Sequence, residues 1–463
     1  MCWLPTGPNQ VPRQRTPCAA STPAEPGSRT TRNRTSWITS LRGCRIRGVS
    51  PNSVSDGVHP ATPESPVRLG RAFIQDPHTC YRTLNAEAPA HRVTIWGATH
   101  AWLITRYAEA RVLLADPRLS KNWQGLAELL PQEDHTAHKS SLNNHMLQQD
   151  PPEHTRLRKL LTKEFTAGSV RRMRPDIVGI ADALLDGVAQ AADGDTVVDL
   201  MQAYAIRLPL GVIGKLLGVP PDDRDRFRLL CEPLLTSIDH AALTSSENAL
   251  IELLTGLIAS KRTAPADDLL SALVNASDVD DRLGEDELLA TAYLLILAGY
   301  ETTVNLIGNG VLALLRNPSQ LAALRADPGI LPSAVEEFLR FESPLNTATL
   351  RYTTSAVRVG EVEIPARQLV LIALLGANHD GRQFDKPDVL DVTRTPNPHV
   401  AFGHGIHHCL GAPLARLEGE IGIGRLLDRF ERITLADNVV LQYRNSTLMH
   451  GLAALPVRLR ERR

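Results

Sequence analysis

The stretch AFGHGIHHCLG, residues 401–411, places His404, His407, His408 and Cys409 among glycines at 403, 405 and 411. Imidazole and thiolate are both metal ligands. The glycines let the backbone approach something flat and large. In the following segment, LGAPLARLEGEIGIGRLLDRF (410–430), Leu414, Leu417 and Ile421 share one face, and Ile423, Leu427 and Phe430 continue the apolar stripe. Pro413 is tolerated only in a helix's first turn. Cys409 therefore stands just before a helix N-terminus, where backbone N–H groups and the helix dipole favour thiolate over thiol. Two readings follow: a flat macrocycle whose metal is held by the cysteine, or a small tetrahedral His/Cys zinc site.

Composition narrows the classes. A net charge of −1 with 4% aromatic residues does not suit a nucleic-acid binder or a polybasic membrane protein. The six cysteines (2, 18, 44, 80, 231 and 409) form no CxxC pair, which speaks against a disulfide framework and for a reducing, cytoplasmic setting. The greasiest run, residues 288–300, is ended by Glu301 and falls short of the roughly 20 residues a membrane span needs.

The first 60 residues differ from the rest. Residues 1–50 hold eight arginines and one acid, Glu25, with Pro, Ser and Thr between them. This composition reads as a disordered tail, as a transit-like peptide, or as sequence upstream of the true start. Residues 61–463 form one catalytic domain, mainly helical by pattern. The clearest helix runs from Glu285 to Arg316, between Gly284 and Asn317-Pro318. Strand-like pieces are few: residues 92–96, 101–105, 357–364 and 369–374.

Polar residues interrupt the long apolar helix at AGYETT, 298–303. Gly299 costs about 1 kcal/mol relative to alanine there, and a buried Glu301 without a partner is expensive. A bent, satisfied polar kink is the plain alternative. In AVEEFLR (334–340), Glu337 and Arg340 lie three apart on one helix face. In DPPEHTRLRKLL (150–161), Asp150 can cap a helix, the prolines suit its first turn, Glu153 can bond back, and His154 and Arg158 share a face.

The pattern Phe402-x-x-Gly405-x-His407-x-Cys409-x-Gly411 resembles the haem-binding signature of the cytochrome P-450 family, and the other motifs occur in that family's order. The resemblance covers about residues 60–463 and is nearest to soluble bacterial members that tailor secondary metabolites. It implies a mainly α fold with small β-sheets: a triangular, helix-rich single domain with a long central helix over the haem. It makes Cys409 the axial ligand to the iron of haem b (iron protoporphyrin IX). Ala298 and Gly299 would lie against the cofactor, with the helix locally opened there. Glu301 and Thr302 would deliver protons through water during oxygen activation. His154, Arg158, Arg351 and His407 would hold the haem propionates. Glu337 and Arg340 would lock the core. The family often adds an arginine before the cysteine loop; Val389 occupies the expected place, which leaves open whether Arg394 replaces it. His408 is an unusual neighbour for the cysteine, and Tyr300 should face away from the haem.

By the same resemblance the protein is a monooxygenase, a monomer taking electrons from a ferredoxin and its reductase. Arg156, Lys159 and Arg416 would greet that partner. The substrate pocket should draw on residues 120–147, 295–302, 345–349 and 447–448, mostly apolar or small, and so suit a mainly hydrophobic polyketide, macrolide or terpenoid. Thiolate-haem chemistry that couples, desaturates or rearranges, and a non-catalytic haem or zinc binder, are the alternatives.

Overall fold

The computed structural model describes residues 66–462 except 96–98, 131–140, 192–195, 237–239 and 279–282. The N-terminal tail, the domain boundary near residue 60 and Trp96 lie outside the described residues.

The helix Glu285–Arg316, the central helix, has the bounds its sequence signals. Glu287 Oε2 accepts the Gly284 N–H at 2.9 Å, three acids occupy the first turn, and Asn317 Nδ2 donates to the Ala313 carbonyl at 2.8 Å. Its 32 residues make it about 48 Å long. By length and composition it could cross a membrane, but 78% of its apolar window is buried in the protein. The apolar run is thus longer than the 13 residues read before Glu301, and core packing accounts for it. Helices Arg207–Leu216, Leu331–Phe341 and Ala412–Arg429 pack around it. Small residues permit the close crossings: a Cβ on Gly310 would meet Phe338 at 3.0 Å, and one on Gly419 would meet Leu306 at 2.9 Å.

A six-stranded sheet runs in the order Val67–Arg68, Ala90–Ile95, Thr99–Ile104, Leu369–Ile372, Arg351–Thr353, Leu119–Ser120. Thr99–Ile104 pairs in parallel with Leu369–Ile372, so most of the helical body is inserted between two neighbouring strands. The stretch 357–364 is not one strand but the hairpin Val357–Val359 and Val362–Ile364, turned at Gly360 with φ +59°. A third sheet, Phe430–Leu435, Pro456–Glu461 and Val197–Asp199, has no counterpart in the sequence reading. Phe430, expected to continue the helical stripe, begins its first strand. That residue's burial looks the same in either period, and the chain switches without a turn.

Candidate active site

The cysteine loop is closed by its own backbone. The Cys409 N–H donates to the Phe402 carbonyl at 2.9 Å and the Gly403 N–H to Val400 at 2.8 Å. Gly403 and Gly405 adopt φ of +70° and +76°. A Cβ on Gly405 would come within 2.8 Å of Ala115 Cα. Both glycines are therefore required by the turn, and Gly405 also by packing at the end of the helix Tyr107–Leu114. Gly411 has ordinary backbone angles and a hypothetical Cβ only in van der Waals contact with the sulfur, 3.9 Å away. The Arg416 guanidinium lies 4.6 Å above the Phe402 ring.

Cys409 is solvent-accessible by surface area yet deep among protein atoms, because it lines an internal cavity. Burial pushes its thiol up. The N–H groups of Gly411 and Ala412, Arg158 and Arg416 pull the other way without prevailing. The helix N-terminus acts in the expected direction, and a bound metal cation would complete the shift to thiolate.

The cavity encloses about 590 Å³. At one side gather Lys121, His154, Arg158, Arg351 and His407, all lining it. His154 is 2% exposed and neither ring nitrogen has a hydrogen-bond partner; Arg351, 3% exposed, has an unpartnered Nη1. Burial and then Lys121 and Arg351 depress the His407 imidazole. Burial holds Arg351 down to about 10 and Lys121 well below the ordinary lysine range. Lys121 Nζ donates to Thr349 Oγ1, and Arg158 Nη2 to the His408 carbonyl at 2.7 Å. Buried donors left unpaired around one void are costly unless an anion joins them.

The sequence reading named four of these five; Lys121 escaped it. The nearby acid, Asp150, does not cap the helix as expected. Its carboxylate accepts from Ser120 Oγ and, at 3.0 Å, from the Lys121 N–H. The helix begins at Glu153 after Pro152 without a side-chain cap, and Glu153 bonds Arg156 instead of reaching back. The strand Leu119–Ser120 carries better-placed donors to Asp150 than the helix end does.

Across the cavity lies the central helix. Ala298, Gly299, Glu301 and Thr302 line the void, while Tyr300 is fully buried in the core and is not among the lining residues. The helix is continuous through this turn rather than opened. The hydroxyls of Thr302 and Thr303 instead donate to the carbonyls of Ala298 and Gly299 at 2.9 and 3.4 Å. Glu301 is 8% exposed. Burial raises its carboxyl to about 7, against the opposing pull of Arg444, whose Nη2 is 3.2 Å from Oε1. Arg444 lies 143 residues away, and no local spacing signals it.

Glu337 and Arg340 are both wholly buried and joined by two contacts of 2.8 Å. The third partner is Arg394: its Nε lies 3.2 and 3.1 Å from the two Glu337 oxygens. This supplies the third partner that the sequence left open. Val389 does stand at the expected place, but its carbonyl serves as an acceptor for both arginines. The loop curls so that a residue five positions later reaches the carboxylate. Asn397 Nδ2 and the Asp391 N–H complete it at 3.1 and 3.0 Å.

The zinc alternative does not survive. Among the described residues the ligand atoms that converge are those of His78, Glu342 and His450, not His404, His407, His408 and Cys409. His408 is exposed. Of the three cations expected to meet a partner, Arg156 pairs with Glu153 and Glu287 and Arg416 with Glu336; Lys159 is exposed. The cavity lining includes Leu142, Leu295, Leu345 and Leu448, within the expected segments; residues 131–140 lie outside the described ones.

A cysteine in a glycine-kinked loop, a void beside it, a cluster of basic side chains of which His154 and Arg351 keep unpartnered nitrogens, and an acid–alcohol pair on a facing helix define a haem-thiolate oxygenase site. A cytochrome P450 family profile matches residues 329–457. Cytochrome P450 107B1 of Saccharopolyspora erythraea is 48% identical, with 84% of this chain and 96% of that protein covered. The cytochrome P450 monooxygenase PikC of Streptomyces venezuelae is 44% identical over 85% of this chain and 94% of that one. The tirandamycin C-bound P450 monooxygenase TamI superposes with a TM-score of 0.80 at 48% identity, covering 85% of this chain and all of that one. The chain belongs to the cytochrome P450 family, and it is a P450 monooxygenase. Its cofactor is haem b, and the family's members act on small molecules with electrons from redox partners. The cavity fits that cofactor: two propionates are the anions that its orphaned donors lack.

Proposed function

We propose that this enzyme inserts one oxygen atom into a mainly hydrophobic secondary metabolite of the polyketide or macrolide type. The observation that carries this reading is the cavity of about 590 Å³ lined largely by leucine and small side chains, with its polar side chains in the minority. When bound, haem supplies the activation of dioxygen with two electrons and two protons, one oxygen atom going to substrate and one to water. The protein's residues do the rest. Cys409 ligates the iron as a thiolate. Lys121, His154, Arg158, Arg351 and His407 fix the propionates and so the cofactor's orientation. Glu301 holds a proton at its carboxyl, and Thr302 passes it through its hydroxyl toward the cavity. The apolar walls seat the substrate and exclude water.

Ligands named for relatives, such as the tirandamycin C bound to TamI, support the class and not the compound. Electrons would come from a ferredoxin and its reductase, with the exposed Lys159 on the approach side. The reading includes a monomer working in the cytoplasm, with residues 61–463 as the catalytic domain and the preceding 60 as a tail.

The test is a pair of spectra. The reduced, carbon-monoxide-bound protein should show the strongly red-shifted Soret band of thiolate ligation, and Cys409→His should lose that shift while retaining haem. An unshifted wild-type band overturns the ligand assignment. Macrolide and linear polyketide lactones should then shift the ferric spin state. A panel in which only polar or charged compounds do so overturns the substrate class.

A further inference from the structure

The relay acid is tied to a part of the chain that also forms the pocket wall. Arg444 sits in the C-terminal loop, and its Nη2 reaches two side chains one helical turn apart on the central helix: Glu301 Oε1 at 3.2 Å and Asn305 Oδ1 at 2.6 Å. The loop is held in place from several sides. The Arg444 N–H donates to the Gly451 carbonyl at 2.9 Å, the Asn346 N–H to Leu448 at 2.8 Å, and Asn309 Nδ2 to His450 at 2.8 Å. Gly451 is what admits the guanidinium: a Cβ there would lie 1.9 Å from Asn305 Oδ1 and 2.8 Å from Arg444 Nη2. Four residues beyond Arg444, Leu448 and then Met449 line the cavity. One short loop therefore touches both the substrate space and the acid.

We propose that Arg444 is a positioning residue for oxygen activation: it clamps the Glu301 carboxylate between proton transfers, and the loop it belongs to couples substrate seating on Leu448 and Met449 to release of the reprotonated acid toward Thr302. The inference rests on Glu301 and Thr302 being the relay. For each of the two protons of a turnover, Glu301 gives a proton to the cavity side, is left as carboxylate beside Arg444, and regains a proton from solvent; the two electrons come from the external redox partner. The geometry gives the clamp its effect. The only ionisable group acting appreciably on the Glu301 carboxyl among the described residues is Arg444, while Asn305 and Thr302 beside it are neutral. Burial and Arg444 act on the carboxyl in opposite directions. Without the arginine, burial is left alone and the acid holds its proton to higher pH.

The experiment uses the haem-loaded full chain with its electron donors and compares Arg444→Gln, Arg444→Lys and Glu301→Gln. Haem content and the carbon monoxide spectrum report folding. Product formed per electron pair is measured across pH. In Arg444→Gln the pH midpoint of that ratio should move up by about one unit. Arg444→Lys should restore it. If Glu301→Gln leaves the ratio at the wild-type value, the relay reading itself fails. If Glu301→Gln lowers it but Arg444→Gln keeps the wild-type midpoint, the relay stands and the clamp is refuted.

Discussion

Removing Arg394 should cost measurable stability although the motif that defines the core pair stays intact. Glu337 is wholly buried and its carboxylate accepts from Arg340, Arg394, Asn397 and the Asp391 backbone. Arg340→Ala would leave that carboxylate with only an edge-on cation, the situation in which breaking a buried pair costs about 3–5 kcal/mol. Arg394→Ala is milder. Arg340 still neutralises Glu337, the lost contacts are 3.1–3.2 Å, and the Arg394 side chain is 12% exposed, so water replaces part of what is removed. A hydrogen bond to a charged group is worth about 1.5–3 kcal/mol, and the partial exposure places the loss near 2 kcal/mol. Arg394 also donates to the carbonyls of Asp385 and Val389 at 2.9 and 3.2 Å, so the loop before the cysteine should loosen with it. With an unfolding entropy of roughly 2 cal/mol/K per residue over about 400 residues, 2 kcal/mol is a fall of about 2–3 °C in Tm, and Arg340→Ala about twice that. Calorimetry of the haem-loaded proteins gives the comparison. An Arg394→Ala melting point within about 1 °C of wild type, or a loss equal to that of Arg340→Ala, would refute the assignment of Arg394 as the lesser member of this network.

Lys121→Met should act in opposite directions on the two forms of the enzyme. The apoprotein should become more stable, because a buried cation is removed, while haem should transfer to a competing apoprotein about tenfold faster; unchanged transfer would exclude Lys121 from the propionate site. Thr302→Ala should bind haem with a normal carbon monoxide spectrum but divert reducing equivalents to hydrogen peroxide, and a product-per-electron ratio equal to wild type would remove Thr302 from the relay. Glu336 is raised by burial, but hydrogen bonds from His399 and Arg416 outweigh this and hold its carboxyl at about 2 instead of 4.5. A depressed folded-state value means stability present above pH 4.5 and lost as the pH falls toward 2. Glu336→Gln should therefore flatten the acid limb of the Tm–pH curve, and an unaltered limb would contradict that pairing.

What the sequence made legible was local. The central helix could be bounded to the residue because both ends carry chemical signals, acids with Gly284 at one and Asn317-Pro318 at the other. Cys409 was legible because its glycines, its proline and its apolar stripe lie within a few turns of it. Lys121, Arg394 and Arg444 were not, for one reason. Each acts on a group brought near by the fold: Thr349, Glu337 and Glu301 are 228, 57 and 143 residues away. LSKNW and VTRTP look like any surface loop until the sheet and the cysteine loop are folded around them. The Phe430 boundary failed differently, since a buried aromatic satisfies a helix period and a strand period equally well.

The parallel pairing of Thr99–Ile104 with Leu369–Ile372 sets a timetable for biosynthesis. The earlier strand leaves the ribosome about 270 residues before its neighbour is made, which at about 5–20 residues per second is on the order of tens of seconds. Throughout that interval Ala101–Ile104, buried in the finished protein, presents an unpaired apolar edge. Nascent chains stalled before residue 369 should be chaperone clients and should aggregate when chaperones are limiting. Slowing initiation or lowering growth temperature should raise the yield of haem-loaded enzyme more than any change to its surface.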